Sequence, residues 1–280
     1  MKELIYTSKN VGEIYRSDTN DVEIMLDTVA FHRKPEKKKK VTLRISNRLA
    51  KNPAKMSVAD LCTEVGVNGR AFVPALLDGN GRKAENWKQQ QVFVLDFDND
   101  ITIQEFEERC DELSIHPVAI YKTFSHKKVH HKFRAIFVLD HIVTDQRMRK
   151  LVVETLAKLF PQLDKDCRDA SRMFFGGKGI HRIDIAQRIN PFKIFDEFMT
   201  QLKTRNPAHF SREKKKFLEE LGIDFSVHEF GVEEYDFIAS SFGENMVNPY
   251  IYKELTKNSP FSLIVCQGSI FSIHWKKSPE

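Results

Sequence analysis

Residues 92–100, Val-Phe-Val-Leu-Asp-Phe-Asp-Asn-Asp, restrict the fold of this chain more than any other stretch. Val92 to Leu95 are four apolar residues in a row, the pattern of a buried β-strand. Asp96 and Asp98 follow at spacing two. Side chains alternate across a strand, so both carboxylates project from one face. Two such groups at the end of an apolar strand repel one another and lose hydration. A hard divalent cation, Mg²⁺ or Mn²⁺, relieves both costs. The competing reading is a strand that runs out into a polar loop, where Asp is common.

The rest of the chain supplies the setting. At 280 residues, 41% apolar and 30% charged, it suits one large soluble domain or two smaller ones. It has no apolar run of about 18 residues, which predicts no membrane span, and no signal-peptide core at Met-Lys-Glu-Leu-Ile. Cys62, Cys110, Cys167 and Cys266 stand far apart with no CxxC pair, so a reduced, cytoplasmic chain without a zinc ribbon is expected. The net charge of +5 is compatible with a polyanionic partner. The basic run Arg33–Lys40 reads as an exposed loop or strand edge, with phosphate contact as the lesser reading.

From residue 92 the order becomes legible. The expected strand 92–97 leads to Thr102-Ile-Gln-Glu105, a capping box, with Ile103, Phe106, Cys110 and Leu113 at helical spacing. Strands follow at 118–123 and 133–139, joined by the polar segment 125–132. Thr144 is expected to cap a second helix carrying Met148, Leu151, Val152, Thr155, Leu156 and Leu159 on one stripe. A fourth strand is expected at 172–175, before Gly176-Gly177. This β-α-β-β-α-β order predicts an α+β fold with a ferredoxin-like, RRM-like palm over 92–176. Strands one and three then lie side by side, with Arg134 beside Asp96 and Asp98. Ser57–Val65 is a further short helix, and Phe192–Leu202, Ser211–Leu221 and Glu233–Phe242 have helical spacing. Ser262–Val265 and Ile270–Trp275 read as a hairpin. The expected division is a catalytic domain at 1–200, with N-terminal α/β additions, and a small, mostly helical accessory region at 201–280.

Four ordered motifs resemble the archaeo-eukaryotic primase superfamily, in the primase-polymerase form carried by bacterial plasmids, phages and integrative elements. They are Val-Leu-Asp96-Phe-Asp98-Asn; Tyr121-Lys-Thr-Phe-Ser125-His126 with Lys132-Phe-Arg134-Ala-Ile-Phe; Leu163-Asp164-Lys-Asp166-Cys-Arg-Asp169-Ala-Ser171-Arg172; and the basic lead-in Arg82 to Gln90. The resemblance implies template-dependent nucleotidyl transfer on single-stranded DNA, with NTP or dNTP as substrate and two divalent ions, Mg²⁺ or Mn²⁺. It implies that Asp96, Asp98 and Asp164 hold the metals, with Asp166 and Asp169 competing for the third place. Ser125, His126, Lys132, Arg134 and Arg172 would bind the nucleotide. The superfamily's Ser-x-His on strand three reads Lys132-Phe-Arg134 here, so Arg134 or His126 takes the place of that histidine. Lys88, Lys127, Lys128 and Lys178 are the candidate DNA contacts. A replicative helicase would be a separate partner, since the chain has no P-loop; no membrane partner is expected.

Three other classes share parts of the pattern. A haloacid-dehalogenase-type phosphohydrolase also begins with a strand and Asp-x-Asp, but wants Thr or Val where Asp100 stands and Gly where Asn99 stands. A rolling-circle nickase needs a His-hydrophobic-His pair and a Tyr on the 145–160 helix; neither is present. A catalytically inactive nucleic-acid-binding domain of the same fold would expose an aromatic platform, for which Phe93, Phe97, Phe133 and Phe137 are available.

Overall fold

The computed structural model describes residues 4–8, 11–16, 21–36, 38–98, 101–221, 223–227, 251–252, 261–266 and 269–275, with side chains for 21–36, 38–98 and 101–221. The expected helix at Glu233–Phe242 lies outside the described residues. The chain forms two units, one from 1–16, 143–152 and 192–280, the other from 17–142 and 153–191. In the first, β1 (Leu4–Ser8) and β2 (Val11–Arg16) pair antiparallel.

The second unit contains β3 (Asp21–Leu26), α1 (Lys39–Leu49), β4 (Pro53–Ser57), α2 (Val58–Gly66), β5 (Phe72–Val73), β6 (Leu76–Leu77), β7 (Trp87–Asp98), α3 (Ile103–Leu113), β8 (Ala119–Thr123), most of β9 (Lys132–Val143), the last turns of α4 (Gln146–Leu159) and β10 (Gly177–Ile183). Its main sheet has the order β10-β8-β9-β7-β6, and β3 forms a smaller sheet between β4 and β5. β8 runs antiparallel to β9 and β10, and β6 antiparallel to β7. A phosphohydrolase of the type considered above needs a parallel sheet instead.

Strands one and three of the expected palm, β7 and β9, are neighbours as expected. The fourth strand is different. It lies at Gly177–Ile183, not 172–175, and pairs with β8 at the far edge. Residues 172–175 contribute only a bridge, Phe174 to Phe72. The free edge of β7 is met by β6 near Leu76 and Leu77, and by a 3₁₀ turn at Lys165–Arg168 near Asp96. No room is left there for a ferredoxin-type fourth strand.

One face of the sheet is sealed by aromatics. Phe97 stacks on Phe133 at 4.9 Å between centroids, and Phe106 of α3 meets Phe97, Phe133 and Phe160 at 4.9, 5.5 and 5.3 Å. Leu156 and Leu159 of α4 are buried as well. Phe93, Phe97, Phe133 and Phe137 are therefore core, unavailable as a base-stacking platform. Residues of opposite parity, Asp96, Asp98, Lys132 and Arg134, point to the other face.

The local signals at the helix starts behave as their chemistry requires. Thr102 and Glu105 complete the capping box of α3, and the Ser57 hydroxyl accepts the Asp60 N–H to cap α2 at 3.1 Å. At α4 the cap differs from expectation. Asp145 Oδ1, not Thr144, accepts the Arg147 N–H at 2.6 Å. The run Arg33–Lys40, expected as an exposed loop or strand edge, is loop at its described residues up to Lys38 and enters α1 only at Lys39; Ile45 and Leu49 of that helix are buried.

In the first unit, α5 (Pro191–Arg205) and α6 (Phe210–Glu220) pack through Phe198 and Phe217 at 4.8 Å. β11 (Ile223–Val227), β12 (Ile251–Tyr252), β13 (Phe261–Cys266) and β14 (Ser269–Trp275) form an antiparallel sheet in the order β11-β14-β13-β12. The expected hairpin is present, closed at Cys266 and Ser269. After residue 222 the described elements are thus strands, where a mostly helical region was expected. Alternating runs such as Ser269–Trp275 satisfy the twofold period of a strand.

Candidate active site

β7 ends and β9 begins side by side, which brings Asp96, Asp98, Lys132 and Arg134 to one patch. A third chain segment is stitched to it through the backbone. The Asp164 N–H donates to the Asp96 carbonyl at 2.9 Å, and the Asp96 N–H meets Cys167 Sγ at 3.4 Å. Asp164 in turn caps the 3₁₀ turn by accepting the Asp166 N–H at 3.0 Å. The strand edge that lost its fourth strand thereby carries Asp164 to the acidic pair. A cavity of about 450 Å³ opens over this patch, lined by Asp96, Asp98, Ser125, Lys132, Arg134, Asp164 and Arg172. That volume suits a small-molecule ligand, for which cavities run from roughly 300 to 1,000 Å³.

The floor is buried, and its charges are paired. Arg134 Nε lies 2.9 Å from Asp96 Oδ1, a close ion contact not aligned as a hydrogen bond, while Nη2 donates to Oδ2 at 3.0 Å. The two side chains are 12% and 6% exposed. Nη1 donates to the Phe175 carbonyl and lies 3.4 Å from Tyr121 Oη. The guanidinium also sits 5.3 Å from the centre of the Phe174 ring. Burial lowers the Arg134 pKa, but the Asp96 charge and then Tyr121 outweigh it, so the net displacement is upward. Burial pushes the Tyr121 phenol and the Cys167 thiol each up to about 12. Both stay protonated at neutral pH, so Cys167 is a packing residue and no nucleophile.

The rim is open and more loosely paired. Asp98, 58% exposed, meets Lys132 Nζ at 3.3 Å. Arg172 bridges Asp164, at 3.1 Å from Nη2 to Oδ2, and Asp166. Asp169 does not join the acidic pair; its Oδ1 accepts the Ser171 N–H and hydroxyl at 2.9 and 3.0 Å.

Of the expected nucleotide ligands, Ser125, Lys132, Arg134 and Arg172 line the cavity; His126 stands beside it. His126 Nδ1 accepts the Lys132 N–H at 3.2 Å, and burial lowers its pKa. Arg134 spends its donors on Asp96, Phe175 and Tyr121. Of the expected DNA contacts, Lys127 and Lys128 are exposed at the hairpin tip, and Lys178 Nζ donates to the His126 carbonyl at 2.8 Å. Lys88 is not brought near: it faces Asp78 at 3.4 Å, along a separate groove. Gly176 and Gly177 approach neighbouring backbone closely. A Cβ on Gly176 would meet the Gly69 carbonyl carbon at 2.3 Å, and one on Gly177 the Lys122 oxygen at 2.3 Å.

Two lining cations escaped the sequence reading as site residues, Lys34 and Arg82. Arg82 Nη1 donates to the Ser171 carbonyl at 2.6 Å and Nε to Ser46 Oγ at 3.0 Å. Burial lowers its pKa, opposed by Asp169. Its place in the basic lead-in was a usable signal. Lys34 lies some sixty residues from Asp96 in sequence, where spacing carries no information.

The donor set has the right chemistry for Mg²⁺ or Mn²⁺, with hard carboxylate oxygens on a polar rim. Asp98 and Asp164 hold exchangeable partners and can turn toward an ion. Asp96 has both oxygens committed to Arg134. Among the described residues no three His, Cys, Asp or Glu side chains converge as a ligand cluster.

Neither the known protein families nor the curated proteins give a match. Among solved structures, the chain is similar to the AEP domain of a cyanophage S-2L primase-polymerase, with a TM-score of 0.38 and 11% identity over 64% of this chain and 89% of that one. That likeness is distant, and no residue role is carried from it. Among the described residues no helix is long and apolar enough to cross a membrane.

Proposed function

We propose that the chain is a nucleotidyltransferase of the primase-polymerase kind, extending or initiating a strand on a single-stranded DNA template. One observation carries the reading: a single cavity of nucleotide size joins two carboxylates from a strand end, a third from the stitched turn, and a ring of cations. A nucleoside triphosphate bound to a divalent ion presents the complement of that arrangement.

Asp98 and Asp164 would hold a divalent ion, with Asp96 as the further candidate ligand. When bound, the ion would stabilise negative charge on the reacting phosphates. Arg172 addresses the triphosphate with its planar fork, releasing Asp164 and Asp166 as it does so. Lys132, beside Asp98, offers the same phosphates a point charge. Arg134 sets the position of Asp96 from below, and its buried charge lowers the cost of bringing phosphates over the site. Ser125 offers a hydroxyl to the same group.

A second reading is favoured by the Asp96–Arg134 pair itself. A carboxylate already neutralised by a buried arginine needs no metal, which suits an inactive domain that only binds nucleic acid. Incubation with labelled NTPs or dNTPs on a single-stranded template, with and without primer, in Mg²⁺ and in Mn²⁺, separates the two. Template-directed products that vanish in Asp98→Ala support catalysis. Tight template binding without any product under all four conditions supports the inactive reading.

A further inference from the structure

Apart from Lys34, the basic run that leads into α1 plays no part in the cavity chemistry. From Lys37 to Lys51 the sequence holds seven cations and not one carboxylate. α1 turns Ile45 and Leu49 into the core and leaves Lys38, Lys39, Lys40, Leu43 and Arg44 exposed. Lys39, Lys40 and Arg44 have no carboxylate partner among the described residues. The first turn contains no acidic residue, so lysines crowd the positive end of the helix dipole. That arrangement costs helix stability unless outside negative charge offsets it.

Two residues join this face to the cavity. Lys34, just before the helix, lines the cavity. Arg82, also on its wall, reaches Ser46 of α1 at 3.0 Å and Ser171 at 2.6 Å. Cations thus stand both on the exposed face of α1 and where that helix meets the cavity wall.

We infer that α1 is the track for the sugar-phosphate backbone of single-stranded DNA, with Lys39, Lys40 and Arg44 on successive phosphates and Lys34 at the entry to the cavity. Leu43, 57% exposed among these cations, gives an unstacked base an apolar surface, which a duplex would have no means to use. An anionic membrane is the poorer occupant. The apolar stripe of this helix faces the protein core, leaving one leucine to insert. The track is assigned on the reading that the cavity acts on nucleic acid, but its test does not depend on synthesis.

Binding of a labelled single-stranded oligodeoxythymidine to the full chain, followed by fluorescence anisotropy over a salt series without nucleotide or metal, tests it. Reversing Lys39, Lys40 and Arg44 together to Glu removes three phosphate contacts. The log–log salt slope should become shallower by about 2, since each single-strand contact contributes about 0.7. Affinity near 0.1 M salt should fall at least about tenfold. The reversal places acids at the helix N-terminus, so the melting temperature should hold or rise. Lys150→Glu with Lys158→Glu, two exposed cations of α4, is the control. Unchanged affinity and slope in the α1 variant overturn the inference, as does an equal loss in the control. Retained DNA binding with lost binding to phosphatidylserine vesicles would assign the face to a membrane and overturn it too. A chain that binds DNA through α1 yet makes no product keeps the track and loses the proposed activity. A chain that makes product while the variant binds DNA normally does the reverse.

Discussion

The floor and the rim of the cavity carry the same chemistry, a carboxylate facing a cation, under opposite conditions of solvation. On the floor, Asp96 and Arg134 form a buried two-point pair backed by Phe174, Tyr121 and the Phe175 carbonyl. At the rim, Asp98–Lys132 and Asp164–Arg172 are half-exposed. Burial removes water as a substitute partner, so the floor pair cannot be parted cheaply. Exposed pairs exchange with water at little cost, because each is worth roughly 0–1 kcal/mol. The floor therefore sets geometry, and the rim is what a ligand can rearrange.

The sharpest way to break this contrast is to delete one carboxylate from each layer. Spacing alone suggests that Asp96 and Asp98 are equivalent and that removing both relieves repulsion. The structure overturns this: Asp96→Ala strands a buried guanidinium. It should cost about 3–5 kcal/mol of folding stability. Asp98→Ala should cost no more than about 1 kcal/mol. Denaturant unfolding of the two single variants measures both, and equal losses would erase the distinction between floor and rim.

A smaller effect is expected from Arg172, a rim cation. Arg172→Lys keeps the charge and loses the fork. Nucleotide binding should weaken by roughly 1–3 kcal/mol, the range of a charge-assisted hydrogen bond, with folding stability almost unmoved. Nucleotide titration at fixed template reads the change. If template affinity falls while nucleotide KM stays put, Arg172 belongs to the DNA groove.

Most residues of floor and rim were legible in sequence, but the burial that separates the two layers was not. The apolar strand, the alternation that puts Asp96 and Asp98 on one face, and the neighbouring Arg134 all follow from twofold periodicity. The capping box at Thr102 was equally plain. The fourth strand was misplaced because Met173-Phe-Phe reads as apolar strand, while burial of Phe174 against Phe72 is a long-range matter. The helix at 39–49 was missed because Val41, Leu43 and Ile45 alternate as in a strand and mask the helical series Val41, Ile45, Leu49. The burial of Asp96 was invisible as well. It depends on Phe174 and Phe175, some eighty residues away.

Metal affinity should divide the layers by a step of about tenfold, or about 1.4 kcal/mol. Asp98→Asn should weaken Mn²⁺ binding in the absence of nucleotide by that factor. Asp96→Asn, whose oxygens are already committed to Arg134, should weaken it less. Titration followed by Mn²⁺ paramagnetic resonance compares them. A greater loss in Asp96→Asn would mean that Arg134 yields its partner to the ion, and that the floor is as rearrangeable as the rim.

The smallest effect concerns His126, beside the rim. Its Nδ1 accepts the Lys132 N–H, a bond open only to the neutral ring that carries its proton on Nε2. Burial disfavours the charged form and lowers the pKa below its usual value near 6.5. A base with a depressed folded pKa binds fewer protons folded than unfolded at mildly acidic pH. Its contribution to stability is therefore complete above the unfolded value and is lost as pH falls through the folded one. His126→Gln, which keeps a side-chain acceptor but cannot titrate, should flatten this part of the stability profile. Melting temperatures between about pH 7 and pH 5 would show it as a small extra fall in the parent chain. The rim hydrogen bond makes that loss local, so the Asp96→Ala difference should persist at both ends of the range. If the histidine variant instead abolished that difference, floor and rim would be one coupled network and not two layers.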